Sequence, residues 1–415
     1  MQEMNNSCLV IIHKNSLAGS FNFIEMDMHR SIYVSNFYVF FPTSFETTLT
    51  KTTSRVFNFS AGPATLPEVV LEQIQSEMLS LPGVGSSVLE ISHRSKDFDA
   101  ILNDATSRIA QLTNLPNTHE ILFLQGGSAL QNVMMPMNFL TDKSQTADVI
   151  VTGAWGKKTA AEVSRFGELN IAWDGNESDY NRVPKPSELQ LTPNAAYCHL
   201  TSNETIHGVK YWDLPETGNV PLLVDKSSDL FSEPIDIAKY GLIYACAQKN
   251  AGIAGVNVLI LKKELLERCD NRLPSYLDYS KHSKAGSRFN TPPTFAIYVT
   301  GLVCKWLQEE MGGLANISQF NQDKASLLYN VIDQSGGFYS GHAARDDRSI
   351  MNVVFTLKTE DLESQFLSDA TQAGMTTLKG HRSLGGIRAS IYNAMPIEGV
   401  EALAQFMIDF AQKNG

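Results

Sequence analysis

The sequence predicts an α/β protein in which a mostly parallel, covered sheet is followed by a smaller α+β unit at the C-terminus. From about Val56 onward, helical stretches alternate with short apolar runs. Strands interleaved with helices are typical of a parallel sheet with both faces covered. The last hundred residues change to a different order of strands and helices, and this change predicts the second unit. The predicted strands of the large sheet are residues 121–124, 149–151, 195–199, 221–224, 242–245 and 256–261.

The C-terminal unit is predicted from two strands and two helices. The strands are expected at residues 351–357 and 386–391, with a helical stretch at 362–373 between them. A closing helix follows, and it stops at the terminal Gly415. Its apolar residues recur on one face of a 3.6-residue period. They are Val400, Leu403, Phe406, Met407 and Phe410.

Residues 1–53 differ from the rest because they are rich in Ser, Thr, Asn and Phe and show no sustained period. A signal peptide is not predicted, since the first basic residue is Lys14 and the apolar stretch comes late. A transit peptide would be rich in Arg and poor in acids, whereas this segment has both signs of charge. We expect a dispensable or mis-assigned extension with little structure.

Composition and charge exclude several classes of protein. The 415 residues include 33 Lys plus Arg against 44 Asp plus Glu, a net charge of −11, which argues against a nucleic-acid or anionic-membrane partner. No apolar run reaches the roughly 18 residues that a membrane-spanning helix needs. The five cysteines are widely spaced, without a CxxC pair, so neither a disulfide framework nor a metal site is predicted. A reducing cytoplasm is the expected location.

Asp225 and Lys249 form the sharpest pair of candidate functional residues, because each follows a predicted strand. The carboxyl ends of parallel strands line the ligand crevice of an open α/β sheet. A partly desolvated lysine there is a candidate Schiff-base nucleophile, and a nearby aspartate is suited to the pyridine nitrogen of pyridoxal phosphate. A surface lysine and a helix-capping aspartate are the alternatives.

Two further sites follow predicted strands. Residues 125–131 (QGGSALQ) expose backbone N–H groups at a helix start, which favours a phosphate, although a plain turn gives the same pattern. The stretch matches neither of the common nucleotide-binding fingerprints. Trp155 is placed to stack on a flat ring, with a core position as the alternative.

Histidine–arginine pairs give a candidate anion site. Arginine side chains bind carboxylates and phosphates through two parallel hydrogen bonds. The alternative is a set of solvated surface arginines. A separate turn at residues 290–294 (NTPPT) reads as a helix start with Thr291 at the N-cap. The anion-site candidates are His93, Arg94, His381, Arg382 and Arg388.

Several stretches in order resemble the phosphoserine aminotransferase family, pyridoxal-phosphate enzymes of fold type I. The resemblance runs from about Phe57 to Gly415. It is carried by residues 57–63 (FNFSAGP), 90–96 (EISHRSK), 202–208 (SNETIHG), 247–250 (AQKN), 289–295 (FNTPPTF), 379–382 (KGHR) and 388–393 (RASIYN). It implies a large domain with a mostly parallel seven-stranded sheet at residues 70–312. A segment at 54–69 would pack with a small domain at 313–415.

The resemblance also implies roles, residue by residue. Lys249 would hold the cofactor through a Schiff base, with Asp225 on its pyridine nitrogen. Trp155 would stack on the ring and Thr205 would bond its phenolic oxygen. The cofactor's phosphate would be bound by Ser128, Ala129 and Gln248, with Asn290 and Thr291 from a partner subunit. The substrate's phosphate and carboxylate would be bound by His93, Arg94, His381, Arg382 and Arg388. Some family members have arginine at the position of Ala129, so backbone amides and the Ser128 hydroxyl would matter more here.

The activity implied is reversible transfer of an amino group from L-glutamate to 3-phosphohydroxypyruvate in serine biosynthesis, by a homodimer. A phosphorylated four-carbon oxo acid on the route to pyridoxal phosphate is an implied second substrate. Two alternatives share the fold: another aminotransferase or desulfurase-like lyase, and a non-catalytic binding protein. A desulfurase needs a cysteine in a mobile loop, whereas Cys198, Cys246 and Cys304 fall in predicted strands or helices. A binding protein would lack Lys249.

Overall fold

The computed structural model describes residues 55–415 and two short segments, 13–14 and 21–22, which pair as antiparallel strands. The chain divides into two units, Met1–Ser54 and Arg55–Gly415. The expectation for residues 1–53 concerns a part of the chain outside the described residues, apart from those two segments. The fold below is that of the second unit.

The second unit alternates strands and helices along most of its length. Its strands are β1 (Phe57–Asn58), β2 (His119–Leu124), β3 (Thr146–Val151), β4 (Glu168–Asp174), β5 (Tyr197–Thr201), β6 (Asn203–Glu204), β7 (Val209–Lys210), β8 (Leu222–Asp225), β9 (Leu242–Cys246), β10 (Asn257–Lys262), β11 (Tyr339–Gly341), β12 (Asn352–Leu357), β13 (Met375–Thr376) and β14 (Ile387–Ser390). Its helices are α1 (Glu68–Glu77), α2 (Lys96–Leu112), α3 (Gly127–Phe139), α4 (Ala154–Val163), α5 (Ala247–Asn250), α6 (Lys263–Leu266), α7 (Tyr279–Lys284), α8 (Thr294–Glu309), α9 (Leu314–Gln334), α10 (Glu360–Gln372) and α11 (Ile397–Asn414).

Seven strands form the large sheet, in the order β2-β10-β9-β8-β5-β3-β4. The pairs β9–β8, β8–β5, β5–β3 and β3–β4 are parallel, whereas β10 is antiparallel to both of its neighbours. The prediction of a mostly parallel, seven-stranded sheet is therefore confirmed. Non-sequential neighbours such as β5 and β8 require crossover connections, which place helices on the sheet faces.

Both faces of the large sheet are covered. Along β10, Val258 and Ile260 pack into one apolar cluster with residues of α2 and α8. The alternate residues Leu259 and Leu261 pack into a second cluster on the other face, with residues of α3 and α4. This two-residue alternation is the one that a strand imposes on its side chains. A near-continuous apolar strand is stable here because neither face meets water.

The C-terminal residues form a smaller α+β layer with its own core. The antiparallel sheet β11-β12-β14 packs with α9, α10 and α11 around an aromatic cluster that includes Phe355 and Phe366. The closing helix contributes Val400, Leu403, Met407 and Phe410 as buried residues, as its period predicts. The short β1 pairs in parallel with β13, so the beginning of this unit is joined to the C-terminal layer. The boundaries predicted at residues 69/70 and 312/313 stay a prediction.

Two local features differ from the sequence predictions. The edge strand β4 was not among the predicted strands; it pairs on one side only and its pairing with β3 shifts at Val149, which blurs its alternation. The prediction of Thr291 as an N-cap is wrong, because α8 begins at Thr294 with Pro293 at the cap position. Two prolines in a row delay the helix start.

Candidate active site

The carboxyl edge of the large sheet carries the candidate site. Asp225 is the last residue of β8, and Lys249 lies on the one-turn helix α5 directly after the neighbouring parallel strand β9. Burial raises the pKa of the Asp225 carboxyl, and the nearby charge of Lys249 works in the opposite direction. The Ser227 N–H donates to Oδ1 of Asp225 at 2.9 Å and fixes its orientation. The geometry thus brings a buried carboxylate and an amine to the same edge.

Trp155 lies beside this pair at the start of α4. Its ring centroid is 5.1 Å from Nζ of Lys249, and its Nε1 donates to Oγ1 of Thr205 at 3.1 Å. Thr205 is buried, directly after the short strand β6. An indole face, an amine and a hydroxyl therefore converge at one point, as a flat polar ligand would require.

The glycine turn lies at the beginning of α3. Gly127 has a φ of +65°, a conformation that favours glycine, and no side chain caps this helix start. The Ser128 N–H donates to Sγ of Cys246 at 3.0 Å, and the Ser128 and Ser227 hydroxyls are 2.9 Å apart. Ala129 is in the same first turn. Backbone N–H groups at a helix start favour an anion, so this turn can hold a phosphate.

Gln248 lies next to Lys249 on α5, and its carbonyl accepts a hydrogen bond from the N–H of Ala64 at 2.9 Å. This bond attaches the segment at 57–65 to the site. Gly62 in that segment leaves room for the lysine, since a Cβ there would lie 3.3 Å from Cγ of Lys249.

A group of basic side chains, His381, Arg382 and Arg388, faces the same region from the C-terminal layer. Arg388 on β14 is half-buried, and its Nη1 is 3.5 Å from the carbonyl oxygen of Thr205. Burial, together with the charges of Arg388, Arg382 and Lys158, lowers the pKa of His381. Within residues 55–415 no carboxylate forms a salt bridge with Arg382 or Arg388. Unpaired guanidinium groups around a cleft are suited to an anionic ligand.

Three predicted residues, His93, Arg94 and Thr291, are not joined to the site within one chain, whereas Asn290 contacts it. His93 and Arg94 lie just before α2, partly or fully exposed, and the described residues give them no side-chain contact with the strand edge. Asn290 donates to Oε1 of Gln125 at 2.7 Å, which places it beside the residue that precedes the glycine turn. Thr291 is exposed.

Sequence reasoning missed three residues at the site. Ser227 and Cys246 connect Asp225 with the helix start at Ser128 through hydrogen bonds. Glu204 is buried and accepts a hydrogen bond from the Trp155 N–H. Glu204 stands directly before Thr205, so its position in the 202–208 stretch was the available signal. Nothing in the sequence pattern indicates that its carboxyl is buried.

Among the residues that the structure describes, no His, Cys, Asp or Glu cluster is arranged to hold a metal ion. In the same part of the chain, no helix is both long and apolar enough to cross a membrane.

Comparison with known proteins identifies the family of this chain. The aminotransferase class-V family model matches residues 56–403. A phosphoserine aminotransferase of Rhodopirellula baltica is 50% identical over 361 residues, which cover 87% of this chain and 96% of the relative. One from Herpetosiphon aurantiacus is 49% identical over 360 residues, covering 87% of this chain and 99% of the relative.

Solved structures agree with these relatives. A phosphoserine aminotransferase from Bacillus circulans subsp. alkalophilus has a TM-score of 0.85 and 47% identity, covering 87% of this chain and 99% of that one. A PLP-bound phosphoserine aminotransferase from Trichomonas vaginalis has a TM-score of 0.81 and 38% identity, covering 85% and 100% of the two chains.

The fold, the site at the strand edge and the family match together identify the chain as a class-V aminotransferase. Within that class, the chain belongs to the phosphoserine aminotransferase family. The resemblance inferred from the sequence motifs is confirmed.

Proposed function

We propose that this protein transfers an amino group reversibly between L-glutamate and 3-phosphohydroxypyruvate, with pyridoxal phosphate as cofactor. The products are 2-oxoglutarate and O-phospho-L-serine. One observation carries the proposal: Lys249, Asp225, Trp155 and Thr205 lie at one sheet edge in a chain about half identical to phosphoserine aminotransferases. A place in serine biosynthesis follows from that product.

The residues at the sheet edge fit pyridoxal phosphate. An amine for its aldehyde, a buried carboxylate for its ring nitrogen, an indole face for its ring and a helix start for its phosphate are all present. The space that Gly62 leaves beside Lys249 supports the same assignment. The phosphate ligands are Ser128, Ala129 and Gln248, with Asn290 and Thr291 from a second subunit.

Each residue has a role that its surroundings support. Bound pyridoxal phosphate supplies an electron sink for the electrons left when the substrate's α-proton departs. Nζ of Lys249 takes that proton and returns it, as general base and then acid. The buried Asp225 carboxylate would accept a hydrogen bond from the ring nitrogen and so favour its protonated form. Trp155 and Thr205 would hold the ring, Trp155 by its indole face and Thr205 by its hydroxyl.

The group of basic side chains binds the substrates' acidic ends. His381, Arg382 and Arg388 lack carboxylate partners in the described structure, which leaves them available to a carboxylate or a phosphate. Delocalised guanidinium groups accept either anion, so one pocket can serve both glutamate and the phosphorylated oxo acid. His93 and Arg94 complete this pocket from the partner subunit. A protein of net charge −11 can bind anions because these cations are concentrated locally.

A homodimer with shared active sites is part of the proposal. Large apolar side chains are exposed beside the stretches that the single chain does not join to its own site. Leu89, near His93, is 62% exposed, and Phe289, two residues before the exposed Thr291, is 41% exposed. Leu79 is 90% exposed. Exposed apolar residues of this kind mark a protein interface, and a second copy of the chain would bury them.

Two finer statements rest on the family resemblance. The phosphorylated four-carbon oxo acid, 3-hydroxy-2-oxo-4-phosphooxybutanoate, is a proposed second substrate, which would add a role in pyridoxine biosynthesis. A cytoplasmic location is proposed because the described cysteines, Cys198, Cys246, Cys269 and Cys304, are all free thiols. No nucleic-acid or membrane partner is proposed.

An aminotransferase assay on the purified chain tests the proposal. The holoprotein should be yellow, and borohydride should fix the cofactor on Lys249. Phosphoserine should form from glutamate and 3-phosphohydroxypyruvate, and the second oxo acid is assayed in parallel. Activity only with unphosphorylated oxo acids would indicate another aminotransferase of this fold. A colourless protein that binds no pyridoxal phosphate would refute the enzyme assignment and leave a non-catalytic binding protein.

A further inference from the structure

Glu204 is a buried carboxyl group that none of the roles above uses. It is the last residue of β6 and is fully buried, directly before Thr205. Its Oε1 accepts a hydrogen bond from the Gly156 N–H at 3.0 Å, and its Oε2 accepts one from the Trp155 N–H at 3.3 Å. Both donors belong to the first turn of α4, where N–H groups have no partner within the helix.

The backbone around this carboxyl is shaped to admit it. A Cβ at Gly153 would lie 2.5 Å from Cδ of Glu204, a distance at which atoms overlap. A Cβ at Gly156 would lie 3.7 Å from Oε1, an ordinary contact, so the carboxyl does not require that glycine. Gly153 therefore leaves a space at the start of α4 that only a residue without a side chain allows.

Glu204 and Thr205 hold opposite parts of the same tryptophan. Glu204 accepts the backbone N–H of Trp155, while the hydroxyl of Thr205 accepts its indole Nε1–H at 3.1 Å. Two consecutive residues thus fix both the main chain and the ring of Trp155. This carboxyl therefore differs from an ordinary helix cap, because the helix start that it binds contains Trp155, the proposed stacking residue.

The Glu204 carboxyl also interacts with other charges of the site. The charges of Asp225 and Lys249 shift the pKa of Glu204, and the charge of Glu204 helps to raise the pKa of Tyr180. Burial raises the pKa of Glu204 to about 7. Its charge is consequently present on the alkaline side of neutrality, within the reach of the Lys249 charge.

We infer that Glu204 is a positioning residue for the transamination: it fixes Trp155 over the cofactor site and places a negative charge near Lys249. This inference rests on the proposed function. Without the carboxylate, the N–H groups of Trp155 and Gly156 lose their acceptor. The indole of Trp155 is then no longer held in one position at the site. With a neutral side chain of similar size, the hydrogen-bonding geometry is partly kept but the charge is lost.

Two variants separate these contributions, Glu204→Ala and Glu204→Gln. A matched control is Asp148→Asn, since Asp148 is another fully buried carboxyl on the same sheet that accepts a backbone N–H, that of Thr192 at 2.8 Å. The measurements are the equilibrium Kd of pyridoxal phosphate for cofactor-free protein, the pH midpoint of the holoenzyme's visible band, and kcat and KM.

We expect Glu204→Gln to weaken cofactor binding about tenfold and Glu204→Ala about a hundredfold, since hydrogen bonds to a charged group are lost. The band midpoint should move to lower pH in Glu204→Gln, because a negative charge near the Schiff-base nitrogen is gone. In both variants kcat should fall more than KM rises. Asp148→Asn should change none of these, although it lowers stability.

The inference is overturned if Glu204→Gln keeps the wild-type cofactor Kd and band midpoint, or if Asp148→Asn shifts them equally. Should Glu204→Ala fail to fold, Glu204→Gln decides alone. Wild-type protein that neither binds pyridoxal phosphate nor transaminates would refute the proposed function instead, so the two failures are distinguishable.

Discussion

The indole Nε1–H of Trp155 donates to the hydroxyl oxygen of Thr205 at 3.1 Å. This contact joins the start of α4 to the residue after β6, two elements 50 residues apart in the chain. It also orients the Thr205 hydroxyl, since the oxygen that accepts from the indole has its own proton free to donate. One hydrogen bond therefore sets the tilt of the Trp155 indole and the direction of the Thr205 hydroxyl.

Removing the Thr205 hydroxyl should loosen the cofactor. Thr205→Val keeps the shape but lacks the acceptor, so we expect the Kd of pyridoxal phosphate to rise about tenfold, while Thr205→Ser stays near wild type. Thr152→Val is the matched control, because the buried hydroxyl of Thr152 has no hydrogen-bond partner within the described structure. Equilibrium dialysis of cofactor-free protein measures the Kd. Equal values for Thr205→Val and wild type would refute this role.

Asp225 and Lys249 could be predicted from the sequence, because the end of an apolar run marks the end of a buried strand. Asp225 and Lys249 follow such runs, and parallel strands bring their carboxyl ends together. Glu204 could not be predicted in the same way, because its position depends on the space left at Gly153, 51 positions earlier in the chain. The edge strand β4 was not predicted for a related reason. Its irregular register weakens the alternation of apolar and polar residues by which strands are recognised.

The anion pocket makes a prediction about Arg388. Its guanidinium is half-buried, lies 3.5 Å from the Thr205 carbonyl and has no carboxylate partner within residues 55–415, so a ligand phosphate would be its main partner. Arg388→Lys loses the two-pronged contact, and we expect kcat/KM for 3-phosphohydroxypyruvate to fall about tenfold to a hundredfold. Steady-state kinetics with phosphorylated substrate measures the effect.

The control for that experiment is Arg165→Lys, because Arg165 is exposed and pairs only with Glu162 on its own surface, at 3.3 Å. A surface pair of this kind contributes little. If Arg165→Lys and Arg388→Lys reduce kcat/KM to the same extent, the proposed pocket is wrong.

Asp225→Asn should slow the chemistry while leaving the cofactor bound. The amide is nearly the same size but carries no charge for the ring nitrogen, so we expect kcat to fall about tenfold to a hundredfold. Single-turnover rates measured with glutamate report the loss. Asp278→Asn serves as control, since Asp278 is also buried and accepts one backbone N–H, that of Ser280 at 2.8 Å. A wild-type rate for Asp225→Asn would contradict the assignment of this carboxylate.

The buried carboxyl of Glu204 should make stability depend on pH in a defined direction. Burial raises the pKa of Glu204 from 4.5 to about 7 in the folded chain. Below pH 4.5 the carboxyl is neutral in both the folded and the unfolded chain, so the shift has no effect. Between pH 4.5 and 7 it ionises when unfolded but stays neutral when folded, and stability is lost as the pH rises through this window.

In cofactor-free protein, Glu204→Gln should therefore gain stability relative to wild type as the pH increases from 5 to 8. The difference in free energy of unfolding should change by up to about 3 kcal/mol, since each pKa unit corresponds to about 1.4 kcal/mol. Urea unfolding at both pH values measures it. Asp225, whose pKa is also raised, is present in both proteins, so its contribution largely cancels. Parallel pH profiles for the two proteins would show that the Glu204 carboxyl keeps an ordinary pKa in the folded chain.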